Sequence, residues 1–310
     1  MYKGKLTDVQ GIKLGHYQDY KAMTGCSVAI VEDGAICGVD VRGSAPGTRE
    51  TDLLKPENYV QKVHGILLSG GSAYGLNAAT GVMKYLEEKN IGLDVDVCKV
   101  PIVVAAVIFD LNIGDHRIRP DEKMGYLASA NASYDDNSQG IVGAGTGASV
   151  GKILGNDFSM NSGIGQASIK VGDIIVSSIT VLNAFGDIYD YEKQKQIAGV
   201  YDKDRKEFLN TNKIYEKNIK EFNAFNKPTN TTISLVATNA KLDKAQAKKI
   251  SQMAHDGYAR SINPVHTMFD GDTIFTISTG DKKADISFVG SMAAKVISRS
   301  IANAIYKSKN

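Results

Sequence analysis

The 310-residue sequence predicts a single compact α/β domain in which helices cover sheets. Two observations lead there. Apolar strand-like runs at 174–184, 232–238 and 273–279 are interspersed with helical patterns at 72–88, 242–259 and 285–307. No repeat of roughly 20–50 residues divides the chain, and its length suits one large domain. A four-layer α-β-β-α sandwich fits, because two sheets packed on each other would make the long strands apolar throughout. A three-layer doubly wound sheet fits the same pattern.

The elements follow in order. Residues 26–41 read as two strands joined by the turn Asp33-Gly34, a hairpin signal, and a polar loop runs from Arg42 to Asp52. The short strand 63–68 enters the turn Ser69-Gly70-Gly71. A helix is expected from Ser72, as N-cap, to Glu88, with Leu76, Ala79, Val82, Met83 and Leu86 on one face. Residues 98–108 read as a buried strand with Pro101 near its start. A polar helix spans Asp121 to Ala132, and a Gly-rich stretch covers 140–155. Two or three strands fill 164–189. From about 191 to 229 the chain is rich in Lys, Asn and Glu, which predicts an exposed polar excursion. Core-like sequence then resumes with the strand 232–238, a helix from Leu242 to Ala259, the strand 273–279 and a final helix from Asp285 to Lys307.

Composition removes several function classes. Net charge is +2, from 36 basic and 34 acidic residues, and the lysines of 192–228 alternate with acids, so no nucleic-acid partner is expected. No apolar run approaches the roughly 18–20 residues of a membrane span, and the start lacks the apolar core of a secretory signal, which predicts a cytoplasmic protein. Cys26, Cys37 and Cys98 form no C-x-x-C pair and read as small buried thiols of a reducing compartment. The five histidines are scattered, and no H-E-x-x-H or Walker motif occurs, so neither metal nor cofactor is expected. Gly70-Gly71-Ser72 before a helix has the form of an anion cradle, and tight strand-to-helix turning explains it equally well.

One junction stands out. A polar tract ends in Asn230, and Thr231 and Thr232 then open a buried strand. Read alone, this is a loop entering a strand. Cut before Thr231, however, the chain would carry a threonine hydroxyl beside a free α-amine, with an unperturbed pKa of roughly 7.7–8.0, able to act as base without a histidine.

Six segments occur in order: GVDVRGSAPGTRETDLL (38–54), LSGGSAYGLNAATGVM (68–83), VGAGTGASVGK (142–152), VLNAFGD (181–187), NTTISLVATNAKL (230–242) and MFDGDTIFTISTG (268–280). Together they resemble the family of DmpA-type L-aminopeptidase/D-amidase/esterases, which includes β-peptidyl aminopeptidases and nylon-oligomer hydrolases. The resemblance runs from about residue 8 to 305, interrupted mainly in 190–228. It implies an α-β-β-α sandwich like that of N-terminal-nucleophile hydrolases. It also implies self-cleavage of the 1–310 domain into chains 1–230 and 231–310 that stay together, usually in a homotetramer. The Asn230-Thr231 junction is similar to that of the nylon-hydrolase branch.

Carried over residue by residue, the resemblance makes Thr231 the nucleophile. Asp270 and Asp272 become the acidic pair that orients it, although a bare turn also accounts for Asp-Gly-Asp. Asn183 becomes an oxyanion donor and Lys152 a catalytic lysine. Gly70, Gly71, Ser72 and Tyr74 would line the cleft for a small peptide or amino-amide substrate, and His266 and Met268 face the same region. Arg49 and Glu50 lie in a family motif without a derivable role. The alternatives are an acyltransferase like the ornithine acetyltransferases, and an uncut oligomeric scaffold.

Overall fold

A computed structural model of the chain describes residues 1–218 and 230–309. Its principal strands are β1 (Lys13–Asp19), β2 (Thr24–Val41), β3 (Lys62–Ser69), β4 (Val103–Val107), β5 (Ile164–Val171), β6 (Ile174–Val181), β7 (Ile233–Ala240) and β8 (Thr273–Lys282). The helices are α1 (Ala78–Glu88), α2 (Glu122–Ala130), α3 (Thr211–Asn218), α4 (Lys244–Ser261) and α5 (Ile286–Ser308).

These strands, with Thr48–Arg49 at one edge, form a nine-stranded sheet in the order β5-β6-β7-β8-β2-β3-β4, and β1 pairs with the N-terminal half of β2. Residue alternation shows how the sheet folds over on itself. In β7, Leu235 and Ala237 join Ile66 and Leu68 of β3 and Ala29 of β2 in a central core. Val236 points the other way, into a second core with α4 and α5. Leu67 and Val28 likewise point outward, against Ala79 and Val82 of α1. Because successive strand residues face opposite sides, three apolar cores separate four layers: α4/α5, one sheet half, the other sheet half, and α1/α2. This is the α-β-β-α sandwich.

The long strand β2 corrects the expected hairpin. Thr24–Val41 runs as one strand because β3 pairs with both of its halves, from Cys26↔Ser69 to Ile30↔Gly65 and again at Ala35↔Val63. The residues between bulge outward, with Gly34 at a φ of 70°. Beyond the bulge β2 leaves β1 and pairs with β8, so one strand belongs to both halves of the sheet.

Three helices start as the sequence indicates. Asp121, Asp243 and Asp285 each accept the N–H of a residue three positions on, and Gln246 completes a capping box with Asp243. The helix expected from Ser72 differs. Ser72 takes a φ of 54°, Gly71 rather than Ser72 is the N-cap, and a 3-10 turn over Ser72–Asn77 precedes α1. Cys26 and Cys37 are buried, whereas Cys98 is exposed.

The expected exposed excursion is largely built structure over its described part. Asp187–Asp190 pairs with Lys195–Ala198, a second small hairpin follows, and Ile197, Ala198 and Val200 are buried. The buried Asp187 carboxylate holds the segment by accepting the Thr211 N–H (2.8 Å), the Thr211 hydroxyl (2.9 Å) and the Val200 N–H (3.2 Å). Residues 219–229 of that excursion lie outside the described residues. Among the described residues, no helix is long and apolar enough to cross a membrane.

Candidate active site

Strand register builds the site. β7 and β8 pair in parallel with Ile233 opposite Thr273. The same offset continues upstream to a bridge between Asn230 and Asp270. Thr231 therefore falls opposite Gly271 and Thr232 opposite Asp272, so the Asp-Gly-Asp turn meets the junction residue by residue.

Hydrogen bonds fasten this alignment. Asn230 N–H donates to the Phe269 carbonyl (2.6 Å), Gly271 N–H to the Asn230 carbonyl (2.9 Å) and Thr231 N–H to the Asn183 carbonyl (2.9 Å). Thr232 N–H donates to Asp272 Oδ1 at 2.8 Å. The Thr231 hydroxyl donates to the Asn230 carbonyl oxygen at 2.5 Å and accepts the Gly271 N–H at 3.1 Å. Glycine is needed at 271, since a Cβ there would sit 2.7 Å from both Thr231 Oγ1 and the Ala45 carbonyl. The two threonines are not equivalent. Thr232 Oγ1 is buried without a hydrogen-bond partner among the described residues.

Both carboxylates of the turn are buried. Asp270 Oδ2 accepts the Thr267 N–H (2.8 Å) and hydroxyl (2.6 Å). Burial, reinforced by the neighbouring Asp272 charge, pushes the Asp270 carboxyl well above the usual carboxylate range against those bonds. Asp272 Oδ2 accepts from His266, through Nδ1 at 2.8 Å and the backbone N–H at 3.2 Å. The loop after β2 lies across the turn, with Arg42 N–H on the Asp272 carbonyl (3.0 Å) and Ala45 N–H on the Asp270 carbonyl (2.9 Å). Met268 is 73% exposed beside this cluster in sequence.

Lys152 and Asn183 meet directly. Lys152 Nζ donates to Asn183 Oδ1 at 2.5 Å, and Ser149 N–H donates to the same oxygen at 3.1 Å. Asn183 Nδ2 donates to the Phe109 carbonyl at 2.9 Å. Asn183 lies just past β6 rather than inside it, which removes the propensity conflict of an asparagine in a β-branched strand. Lys152 is 2% exposed, and burial lowers its ammonium to about 7 although Asp270 and Asp110 oppose the shift.

The Gly70-Gly71-Ser72 turn serves an internal anion. Gly71 N–H donates to Asp110 Oδ1 (2.7 Å), and the Thr24 hydroxyl donates to Asp110 Oδ2 (2.7 Å). Gly70 and Ser72 donate to the Gly25 and Ile108 carbonyls. A Cβ at Gly70 would lie 2.2 Å from the Asp110 carboxylate. The N–H groups of the turn are thus committed to the interior. Tyr74 is exposed, with the Arg119 guanidinium 4.0 Å over its ring. Asp110 was not singled out by sequence reading, and its signal is a carboxylate closing the apolar run PIVVAAVIFD. Arg49 packs on α1, reaching Thr80 Oγ1 (3.4 Å) and Met83 Sδ (3.1 Å), while Glu50 adopts a φ of 59°. No group of three or more His, Cys, Asp or Glu suited to a metal occurs among the described residues.

Comparison with known proteins bears on what this cluster does. The profile described as peptidase family S58 matches residues 4–310. An aminopeptidase of Mycobacterium tuberculosis is 42% identical over 89% of this chain and 81% of its own length. The 6-aminohexanoate-oligomer endohydrolase of Agromyces sp. is 30% identical over 88% of this chain and 74% of its own. Among solved structures, the L-aminopeptidase D-Ala-esterase/amidase of Ochrobactrum anthropi, a variant of the Ntn hydrolase fold, superposes with a TM-score of 0.72 at 14% identity, covering 98% of this chain and 86% of that one. At that identity the likeness concerns the fold.

Proposed function

Because the chain belongs to peptidase family S58 and is an amide-bond hydrolase of that family, we propose that Thr231 is its nucleophile, unmasked by self-cleavage of the Asn230–Thr231 bond. The observation that carries this reading is the Thr231 hydroxyl held at 2.5 Å from the carbonyl oxygen of Asn230, with the Gly271 N–H facing both oxygens. In maturation Thr231 Oγ attacks the Asn230 carbonyl carbon and the C–N bond breaks, leaving an ester. Water then hydrolyses the ester, freeing the Asn230 carboxylate and the Thr231 α-amine.

In turnover the same hydroxyl attacks a substrate amide while the α-amine takes its proton. The amine half of the substrate leaves, and water releases the acyl group from Thr231. Asp270 and Asp272 orient the threonine. Asn183, whose Oδ1 receives the Lys152 donor, offers its second Nδ2–H to the developing oxyanion. Small peptides or amino-amides are the substrate class, and the 30% identical relative named for 6-aminohexanoate oligomers extends it to ω-amino-acid oligomers. Membership of a peptidase family replaces the acyltransferase alternative.

Trapping tests the reading. Acid-quenched turnover of amino-acid amides, β-peptides and 6-aminohexanoate oligomers is expected to leave one acyl group on the peptide beginning at Thr231. Turnover with an acyl group on any other residue would overturn it.

A further inference from the structure

His266 adopts a φ of 56°, the left-handed region in which a bulky non-glycine residue needs a reason. That conformation brings both its backbone N–H (3.2 Å) and its Nδ1 (2.8 Å) onto one oxygen, Asp272 Oδ2. The other oxygen, Oδ1, lies 2.8 Å from the Thr232 N–H. Asp272 is 1% exposed, so these contacts rather than water decide which oxygen points where. A carboxylate held twice on one oxygen cannot exchange its two oxygens by rotation. The His266 ring packs edge-on against His255 at 4.9 Å and tilted against Tyr258 at 6.0 Å. Its Nε2 has no hydrogen-bond partner among the described residues, so Nδ1 alone makes its polar contact.

We propose that His266 is a positioning residue for the Thr231 site: its Nδ1–H locks the Asp272 carboxylate so that Oδ1 grips the Thr232 N–H and keeps the neighbouring hydroxyl on its target. This rests on the reading of Thr231 as nucleophile. The geometry separates two things a histidine supplies, a hydrogen-bond donor and a packed ring, and two substitutions divide them. His266→Asn retains a donor close to the Nδ1 position and tolerates the left-handed backbone. His266→Phe retains the ring and loses the donor.

Both variants are compared with the wild type for the time course of chain cleavage by mass, for kcat and KM on an amino-amide, and for thermal unfolding. His266→Phe is expected to slow cleavage and lower kcat roughly 10- to 100-fold with KM little changed, as small misplacements of reacting groups do. His266→Asn is expected to stay close to wild type in both rates. Should His266→Phe fail to fold, His266→Gly removes the donor at a residue that accepts this φ, and the comparison with His266→Asn stands. Any outcome in which His266→Asn does not outperform the donor-free variant overturns the proposal. A wild-type chain that neither cuts nor hydrolyses amides would remove the Thr231 reading and this one together. A wild type that cuts, with His266→Asn no better than His266→Phe, removes this one alone.

Discussion

Thr231→Ala is expected to persist as one uncut chain and to lose amide hydrolysis by roughly a thousandfold or more. Its hydroxyl is the group seated on the Asn230 carbonyl, and the Gly271 N–H opposite it has a fixed place in the β7–β8 register. Removing that oxygen leaves a well-ordered junction with nothing to attack from. Thr232→Val is the matched control. It deletes a buried hydroxyl without a hydrogen-bond partner among the described residues, so cleavage and turnover should survive. Incubated samples of both, followed by denatured mass and by amide turnover, make the comparison. A processed, active Thr231→Ala would move the chemistry elsewhere.

Lys152→Met is expected to lower amide turnover by roughly a hundredfold while leaving the protein as stable or more stable near pH 7. The ammonium is buried and donates to Asn183 Oδ1. Its loss weakens polarisation of the Asn183 amide but ends the cost of burying a cation. The pH dependence follows from the shift. Burial lowers the folded-state pKa from 10.5 to about 7. Between those values the unfolded chain holds the extra proton, so the contribution of Lys152 to stability rises with pH across this window. Below about pH 7 the full penalty, on the order of a few kcal/mol, remains. The stability advantage of Lys152→Met should therefore be greatest at and below neutrality and shrink toward pH 10. Melting temperatures of both proteins across that range check it. An advantage that grows with pH would contradict a buried, depressed lysine.

The candidate site residues are nameable in the sequence through the six ordered segments of the family resemblance. Read alone, the Asn-Thr-Thr entry is a loop entering a strand and Asp-Gly-Asp a bare turn. The Asn-Thr-Thr entry into an apolar strand, the Asp-Gly-Asp turn and the Lys after a Gly-rich run are all visible in linear order. Their meeting is not. It depends on the parallel β7–β8 register, a non-local pairing that no local pattern encodes. The same limit explains β2. Asp33-Gly34 carries hairpin chemistry, yet β3 bridges both sides of it and turns the signal into a bulge. Gly70-Gly71-Ser72 fits an anion cradle and a tight strand-to-helix turn equally well in sequence, and the anion that Gly71 N–H meets is the chain's own Asp110, 39 residues away. His266 shows its role only once the left-handed backbone places two donors on one carboxylate oxygen.

The denatured mass of the purified, freshly incubated wild-type protein tests self-processing most directly. Two masses are expected, one for a chain ending at Asn230 and one for a chain beginning at Thr231. A single full-length mass that persists in protein actively hydrolysing amides, or a small chain beginning at Thr232, would contradict it.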